Sequence, residues 1–237
     1  MNIIVTGASR GIGFELVKSF AAGRDNRIIA IARNSDRLEK LTRITRSFKE
    51  GGEVFPVPFD LSRIDQIKEE LIPLIDKKMS GVDILVNNAG FLTRKPFQSI
   101  TRAELEMNLT VNFTAPYFLI QGLMGHLLKS DHAHVVNVSS MAGFQGSVKF
   151  PGLSAYSTSK AAVSVLTECL AAEYAETSIS VNCLAIGSVQ TEMFAEAFPG
   201  YTASLDPPEL AAFIKEFSLN GKRYFNGKII PVAPSNP

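Results

Sequence analysis

Short runs of β-branched residues alternate along the chain with longer segments in which apolar residues recur at helical spacing. The short runs predict strands, and the longer segments predict amphipathic or buried helices. The predicted strands cover 3–5, 27–32, 53–57, 83–86, 135–138, 179–184 and 229–232, and the predicted helices cover 14–20, 35–49, 64–78, 102–129, 154–175 and 207–217.

This alternation of strand and helix predicts right-handed β-α-β crossovers. Such crossovers build a parallel sheet with helices on both faces, which is an α/β, doubly wound, Rossmann-like fold. No linker, internal repeat or low-complexity tract divides the 237 residues, so we expect residues 1–237 to form a single domain.

Composition narrows the class of protein. Hydrophobic residues make up 46% and charged residues 20%, which is typical of a folded domain, and the formal charge of +1 gives no reason to expect nucleic acid or an anionic membrane as partner.

The N-terminus enters a strand at once and no apolar run approaches ~18 residues, so we expect no membrane association and a cytoplasmic location. Cys169 and Cys183, and the three histidines His126, His132 and His134, lack the spacing of metal ligands, and we expect no metal site.

Unusual polar or small residues follow the predicted strands: Thr6, Arg33, Asp60, Asn87, Ser140 and Gly187. In doubly wound sheets, ligands bind beyond the carboxyl ends of the strands. The sequence therefore predicts that these positions border a ligand site.

A glycine-rich octapeptide joins the first strand to the first helix. Its glycines follow the pattern G-x-x-x-G-x-G, which differs from the common dinucleotide fingerprint G-x-G-x-x-G. Glycines permit a tight turn and let backbone N–H groups approach a pyrophosphate at a helix N-terminus. An ordinary glycine-rich turn is the alternative. The candidate cofactor residues are Gly7, Ser9, Arg10, Gly11, Ile12 and Gly13.

Four further motifs follow in order: 87–90 (Asn-Asn-Ala-Gly), Asn112, the pair Ser139 and Ser140, and 156–160 (Tyr-Ser-Thr-Ser-Lys). Together with the octapeptide, these motifs resemble the short-chain dehydrogenase/reductase family, and they span residues 6 to 193, most of the chain. The resemblance implies an enzyme that transfers a hydride between a nicotinamide cofactor and a carbonyl or secondary alcohol.

The second strand ends at Arg33 with no carboxylate to receive the ribose hydroxyls of NAD. Arg33 and Arg10 would suit a 2′-phosphate, which predicts NADP (NADPH) as the cofactor, although both could instead be solvated surface residues. The resemblance also implies NADP. It further places these residues around the cofactor: Asp60 and Leu61 at the adenine, Asn87, Ala89 and Gly90 at the adenine-ribose side, and Gly187, Val189 and Thr191 towards the nicotinamide.

Tyr156 and Lys160 lie four apart on a predicted helix, about one turn or ~5.4 Å along its axis. A phenol of unperturbed pKa near 10 needs help to exchange protons at neutral pH, and a neighbouring ammonium is expected to lower that pKa. An ordinary surface pair is the alternative. The resemblance implies that Tyr156 is the catalytic acid/base and Lys160 its partner. It also implies that Ser140, rather than Ser139, donates to the substrate oxygen.

Asn112 resembles the helix asparagine that holds a water next to the lysine, with a helix kink or cap as the alternative role. The resulting prediction is an NADPH-dependent carbonyl reductase acting on a small molecule. A non-catalytic NADP-binding regulator or scaffold is the competing class, and an epimerase or dehydratase is a third. The long helices carrying Asn112 and Tyr156 suit a subunit interface, so we expect a homodimer or homotetramer.

The chain departs from the family pattern at three places, and one further segment is notable. The segment 144–152 lengthens the interval between Ser140 and Tyr156, and we expect it to border the substrate cleft. Ile186 replaces the usual proline after the sixth strand. The aromatic segment 194–206 is expected to form a substrate lid, and a helical hairpin that packs on the core is the alternative. The tail 226–237 lacks the family's acidic-glycine end, which puts the usual tetramer contacts in doubt.

Overall fold

The computed structural model describes residues 1–234, so the last three residues of the tail discussed above lie outside it. Within that range a seven-stranded parallel sheet has the order β3-β2-β1-β4-β5-β6-β7. This confirms the predicted doubly wound sheet. The strands are β1 Asn2–Thr6, β2 Arg27–Ala32, β3 Glu53–Pro58, β4 Ile84–Asn87, β5 His134–Ser140, β6 Ser180–Ile186 and β7 Ile229–Val232.

Helices cover both faces of this sheet. They are α1 Gly11–Ala21, α2 Ser35–Arg46, α3 Ile64–Gln66, α4 Ile72–Asp76, α5 Arg102–Leu109, α6 Ala115–Leu127, α7 Ser154–Glu173, α8 Glu192–Ala197 and α9 Pro207–Asn220. Successive strand residues point to opposite faces, so Ile3 and Val5 join the apolar cluster that includes α1 and α9, whereas Ile4 joins the cluster that includes α6. Both faces of the sheet are therefore buried, as a parallel sheet requires.

The proline-containing third strand lies at the edge of the sheet. β3 pairs only with β2, and its Pro56 and Pro58 stand opposite Ala30 and Ala32. A proline cannot donate to the ladder, and an edge strand tolerates this because one side has no partner strand.

Two predicted helices are interrupted, which corrects the prediction of continuous α-helices. A π-helical turn, Ile67–Leu71, separates α3 from α4, and a second, Thr110–Thr114, separates α5 from α6. The apolar periodicity continues through each turn, so the sequence pattern did not reveal them. The second turn contains Asn112, and π turns occur frequently at functional sites.

The sheet reverses its strand order between β1 and β4. This topological switch point is where doubly wound sheets form their ligand crevice. In residues 1–234, no helix combines the length and apolar character needed to cross a membrane.

Candidate active site

A cavity of about 850 Å³ opens at the carboxyl ends of the strands. It extends from the loop after β1 and the end of β2 to the segment that carries α8. Sixteen of the predicted site residues line it: Gly7, Ser9, Arg10, Gly11, Ile12, Arg33, Asp60, Leu61, Ala89, Gly90, Ser140, Tyr156, Lys160, Gly187, Val189 and Thr191. The structure therefore brings most of the predicted residues to one site. Gly13, Asn87 and Asn112 are not among the lining residues.

The glycine loop is shaped by close backbone approach. Gly7 has φ +70°, a conformation that side chains disfavour, and a Cβ on Gly13 would lie 2.4 Å from the Gly7 carbonyl oxygen. The Asn88 amide donates to the Thr6 carbonyl at 2.9 Å, and the Thr6 hydroxyl accepts from the backbone N–H groups of Asn88 and Ala89 at 3.0 Å. These contacts hold the loop in the tight turn that a bound pyrophosphate requires.

Asn87 lies below the site rather than in its wall. Its side chain is buried in the sheet and donates to the Asn137 side chain at 2.8 Å, and Asn137 in turn donates to Thr167. The neighbouring Asn88 lines the cavity instead. Asn87 is the last residue of β4 and Asn88 is the first residue after it, and the sequence motif alone does not show which of the two faces the ligand.

The arginines at the β2 end are arranged differently from the prediction. Arg33 is exposed, lines the cavity and forms no ion pair with any residue from 1 to 234. Arg10, however, donates to both Glu192 and Glu196 at 3.1 Å. A third arginine, Arg37, also lines the cavity and donates to Glu192 at 2.9 Å. Neither Arg37 nor the two glutamates were among the predicted site residues.

The direction of the Tyr156 pKa shift corrects our expectation. Tyr156 lines the cavity and is partly buried, and this burial raises the pKa of its hydroxyl above the ordinary value. The Ser140 hydroxyl opposes the shift in part. Lys160 Nζ is 6.0 Å from the centre of the Tyr156 ring. In this structure desolvation outweighs any lowering by the ammonium, so the phenol is a proton donor in its resting state.

Lys160 is almost fully buried, and its ammonium donates to the Val138 carbonyl of β5 at 2.8 Å. Burial lowers its pKa to about 8. The two serines after this strand have different partners. The Ser139 hydroxyl donates to the Lys160 carbonyl at 2.7 Å, whereas the Ser140 oxygen accepts from the Ala142 N–H at 3.1 Å. The Ser139 hydroxyl is therefore committed to the protein backbone, whereas the Ser140 hydroxyl is directed to Tyr156.

Asn112 is committed to holding the segment after β4. Its side-chain oxygen accepts from the Phe91 N–H, and its amide donates to the Phe91 carbonyl, both at 2.8 Å. The amide also donates to the Ser159 hydroxyl at 2.9 Å. A Cβ on Gly90 would lie 3.5 Å from the Asn112 oxygen and 3.6 Å from Lys160 Nζ, so both groups stand beside the same stretch of backbone.

The far end of the cavity is apolar. Its lining side chains come from the β4–α5 loop, α5 and the turn after it, the segment 141–153 and the α8 region: Leu92, Met107, Val111, Met141, Phe150, Leu153, Met193, Phe194, Phe198 and Tyr201. Phe150 and Pro151 belong to the lengthened segment 144–152, which borders the cavity as expected.

Stacked aromatic rings form the cover over this end. Phe194 and Phe198 stack at 5.1 Å, and Tyr201 meets Phe198 edge-on. The Arg94 guanidinium lies 4.5 Å from the centre of the Phe198 ring and donates to the Ala197 carbonyl at 2.9 Å. Arg94 thus ties the loop after β4 to the cover.

Ile186 does not interrupt β6, and the segment that follows it leads into α8. Ile186 pairs with Val232 as the last residue of β6, and Gly187 donates to the Val232 carbonyl at 2.9 Å. The Thr191 hydroxyl caps α8 by accepting from Phe194, and its methyl group would be 3.1 Å from a Cβ on Gly11. The N-terminus of α8 therefore lies directly against the glycine loop.

Comparison with known proteins identifies the family. A family model described as short chain dehydrogenase matches residues 1–202. The chain is 34% identical over 207 residues to a fatty acyl-CoA reductase of Mycobacterium tuberculosis (85% of this chain, 68% of the relative). It is 33% identical over 197 residues to the 3-oxoacyl-[acyl-carrier-protein] reductase FabG of Chlamydia pneumoniae (81% and 75%).

A solved short chain dehydrogenase of Escherichia coli CFT073, complexed with NADPH, is similar over 98% of this chain and 96% of its own, with a TM-score of 0.86 and 28% identity. The chain therefore belongs to the short-chain dehydrogenase/reductase family and is an oxidoreductase, as the sequence predicted. Nothing in these comparisons supports the alternative of a non-catalytic protein.

Proposed function

We propose that this protein is an NADP(H)-dependent carbonyl reductase whose substrate has an apolar body. One observation carries the proposal: Ser140, Tyr156 and Lys160 line the same cavity as the glycine loop and Arg33. A cofactor that spans the cavity from the arginines would bring its nicotinamide to the proton-donating groups, as hydride transfer to a carbonyl requires.

The lining residues fit a dinucleotide. The left-handed Gly7 and the start of α1 suit a pyrophosphate, Arg33 and Arg37 suit a 2′-phosphate, and Thr191 and Val189 border the opposite end. No acidic residue follows β2 directly to repel that phosphate. The similar structure from Escherichia coli is complexed with NADPH, which supports the same cofactor here.

When bound, NADPH supplies the hydride for a carbonyl carbon. The protein's own contribution is to the carbonyl oxygen. Ser140 donates a hydrogen bond to it, and Tyr156 donates a hydrogen bond and then the proton. Lys160 stabilises the phenolate that remains, because a cation beside a buried anion lowers its energy. Asn112 acts as a positioning residue by holding Phe91, whose neighbour Gly90 lies beside Lys160.

The cavity supports a substrate class. Ten apolar or aromatic side chains line the far end, and Arg94 is the charged residue that touches the aromatic cover. Such a surface favours an aliphatic or aromatic carbonyl compound over a sugar or small acid. Relatives named as a fatty acyl-CoA reductase and a 3-oxoacyl-[acyl-carrier-protein] reductase agree with this class, whereas two others are named as dehydrogenases of gluconate or a dehydro-deoxy-gluconate.

The assembly and location are further proposals. Exposed apolar side chains, Leu105, Tyr117, Phe118 and Val165, stand on α5, α6 and α7. Unpartnered apolar residues on neighbouring helices favour an interface, so we propose a homodimer or homotetramer. Residues 1–237 would act as one domain, and the cytoplasmic location stays a prediction from the sequence.

Two measurements on the purified protein test the proposed function. Fluorescence titration should give tighter binding of NADPH than of NADH. Loss of NADPH absorbance should then be followed with paired carbonyl compounds, each apolar ketone or aldehyde matched with a polyhydroxylated one. The proposal expects turnover of the apolar member of each pair. Preference for NADH, or turnover of the polyhydroxylated members alone, would contradict it.

A further inference from the structure

Five charged side chains form a cluster at the β2 end of the cavity. Arg10 comes from the glycine loop, Arg33 and Arg37 from the end of β2 and the first turn of α2, and Glu192 and Glu196 from α8. We call this the arginine–glutamate cluster. Its three arginines and Glu192 line the cavity.

Glu192 is the centre of the cluster. Arg37 Nη1 donates to both of its oxygens, at 2.9 and 3.1 Å, and Arg10 Nη1 donates to one of them at 3.1 Å. Glu196 contacts Arg10 alone, at 3.1 Å. The Arg37 hydrogen bond is the largest cause of a lowered pKa of Glu192, so this residue is a carboxylate at neutral pH. A single carboxylate therefore engages two of the three guanidinium groups.

We propose that Glu192 is a specificity-determining residue that competes with the 2′-phosphate of NADP(H) for Arg10 and Arg37. The inference rests on the proposed function. The phosphate site then includes Arg37 in addition to Arg10 and Arg33. Glu192 weakens the binding of NADP(H), because its carboxylate occupies guanidinium groups that the 2′-phosphate would otherwise bind. NAD(H) has no 2′-phosphate, so Glu192 does not affect its binding in this way. Glu192 therefore lowers the preference for NADP(H) over NAD(H).

The charges decide the direction of the effect. A carboxylate and a phosphate accept the same guanidinium hydrogen bonds, and two anions close together repel each other. The Glu192 side chain is 49% exposed and that of Arg10 is 35% exposed, so solvent screens each pair and limits the gain from removing the carboxylate. For two exposed pairs, we expect an improvement of about three- to tenfold in the dissociation constant for NADPH.

The test compares dissociation constants for NADPH and NADH by fluorescence titration. Glu192→Gln should lower the dissociation constant for NADPH about three- to tenfold and leave that for NADH unchanged. The gain in NADPH binding should be smaller at high salt. Glu196→Gln should have a smaller effect, because it contacts Arg10 alone. The double variant Glu192→Gln/Arg37→Gln should lose the part of the gain that depends on Arg37. Glu173→Gln removes the same charge from α7, ~20 Å along the helix from Lys160, and should change neither constant.

Each outcome has a distinct meaning. If wild-type protein shows no NADPH preference, the proposed function itself fails. If the wild type prefers NADPH but Glu192→Gln leaves that preference unchanged, only the role of Glu192 fails. Equal shifts for NADPH and NADH would mean that Glu192 acts on the placement of α8. Weaker NADPH binding would mean that the ion pairs close over the cofactor, and either result overturns the competition proposed here.

Discussion

The Lys160 ammonium donates to the Val138 carbonyl, so the cation beside Tyr156 is anchored to the central sheet rather than to solvent. The tyrosine and the lysine share α7, while β5 supplies both the anchor and Ser140. One strand and one helix therefore fix the three groups that we propose act on the carbonyl oxygen. Rigid elements hold such groups more precisely than loops do.

Replacing Lys160 by methionine should alter how stability depends on pH. Burial lowers the pKa of Lys160 to about 8, against about 10.4 for an unfolded chain. The cost of burying the charge is therefore fully present below pH 8 and disappears as the pH rises towards 10.4. The stability of Lys160→Met relative to wild type should fall by about 2–3 kcal/mol between pH 7 and pH 10.

Urea unfolding at several pH values measures this difference. Lys40→Met, which removes an exposed lysine on α2, is the control and should show a difference that does not change with pH. A flat difference for Lys160→Met as well would show that Lys160 has the same pKa in the folded and the unfolded protein, and would contradict the lowering of its pKa by burial.

Asn112→Ala should reduce both stability and turnover. The substitution removes three hydrogen bonds to Phe91 and Ser159 from a buried position, and we expect a loss of about 1–3 kcal/mol in the free energy of unfolding. Turnover should fall because the backbone beside Lys160 is no longer held. Asn108→Ala is a matched control, since Asn108 is equally buried on α5 but bonds to Thr93 and Glu104. Similar rates in the two variants would rule out a special positioning role for Asn112.

Arg94→Gln should weaken substrate binding without affecting the cofactor. Loss of the contact with the Phe198 ring and of the bond to Ala197 loosens the aromatic cover, and we expect KM for an apolar carbonyl substrate to rise about tenfold. The dissociation constant for NADPH should stay the same. Lys95→Gln, whose partner is Glu104 on α5, serves as control. An equal rise in KM for both variants would contradict the role given to Arg94.

The sequence was sufficient for the sheet because buried parallel strands leave a strong local pattern, and each predicted strand is present. The π turn at Asn112 was not predicted, since it shifts hydrogen bonds without breaking the apolar periodicity. The motifs likewise located the site, but they did not show that Asn88 rather than Asn87 faces the cavity.

Long-range contacts explain what else was missed. Arg37 and Glu192 are 155 positions apart in the chain, and nothing local to either residue indicates that they pair. The raised pKa of Tyr156 depends on its burial in the folded protein, which a four-residue spacing to Lys160 does not encode. The spacing predicted that Tyr156 and Lys160 are partners, whereas the direction of the Tyr156 pKa shift depends on the folded environment.

The most direct test is the turnover of Tyr156→Phe with NADPH and an apolar carbonyl substrate, measured beside NADPH binding. Tyr224→Phe, at an exposed tyrosine that does not line the cavity, is the control. Loss of the proton donor should reduce turnover at least ~10²-fold while the dissociation constant for NADPH is unchanged. Wild-type turnover in Tyr156→Phe would contradict the assignment of Tyr156 as the proton donor and, with it, the proposed mechanism.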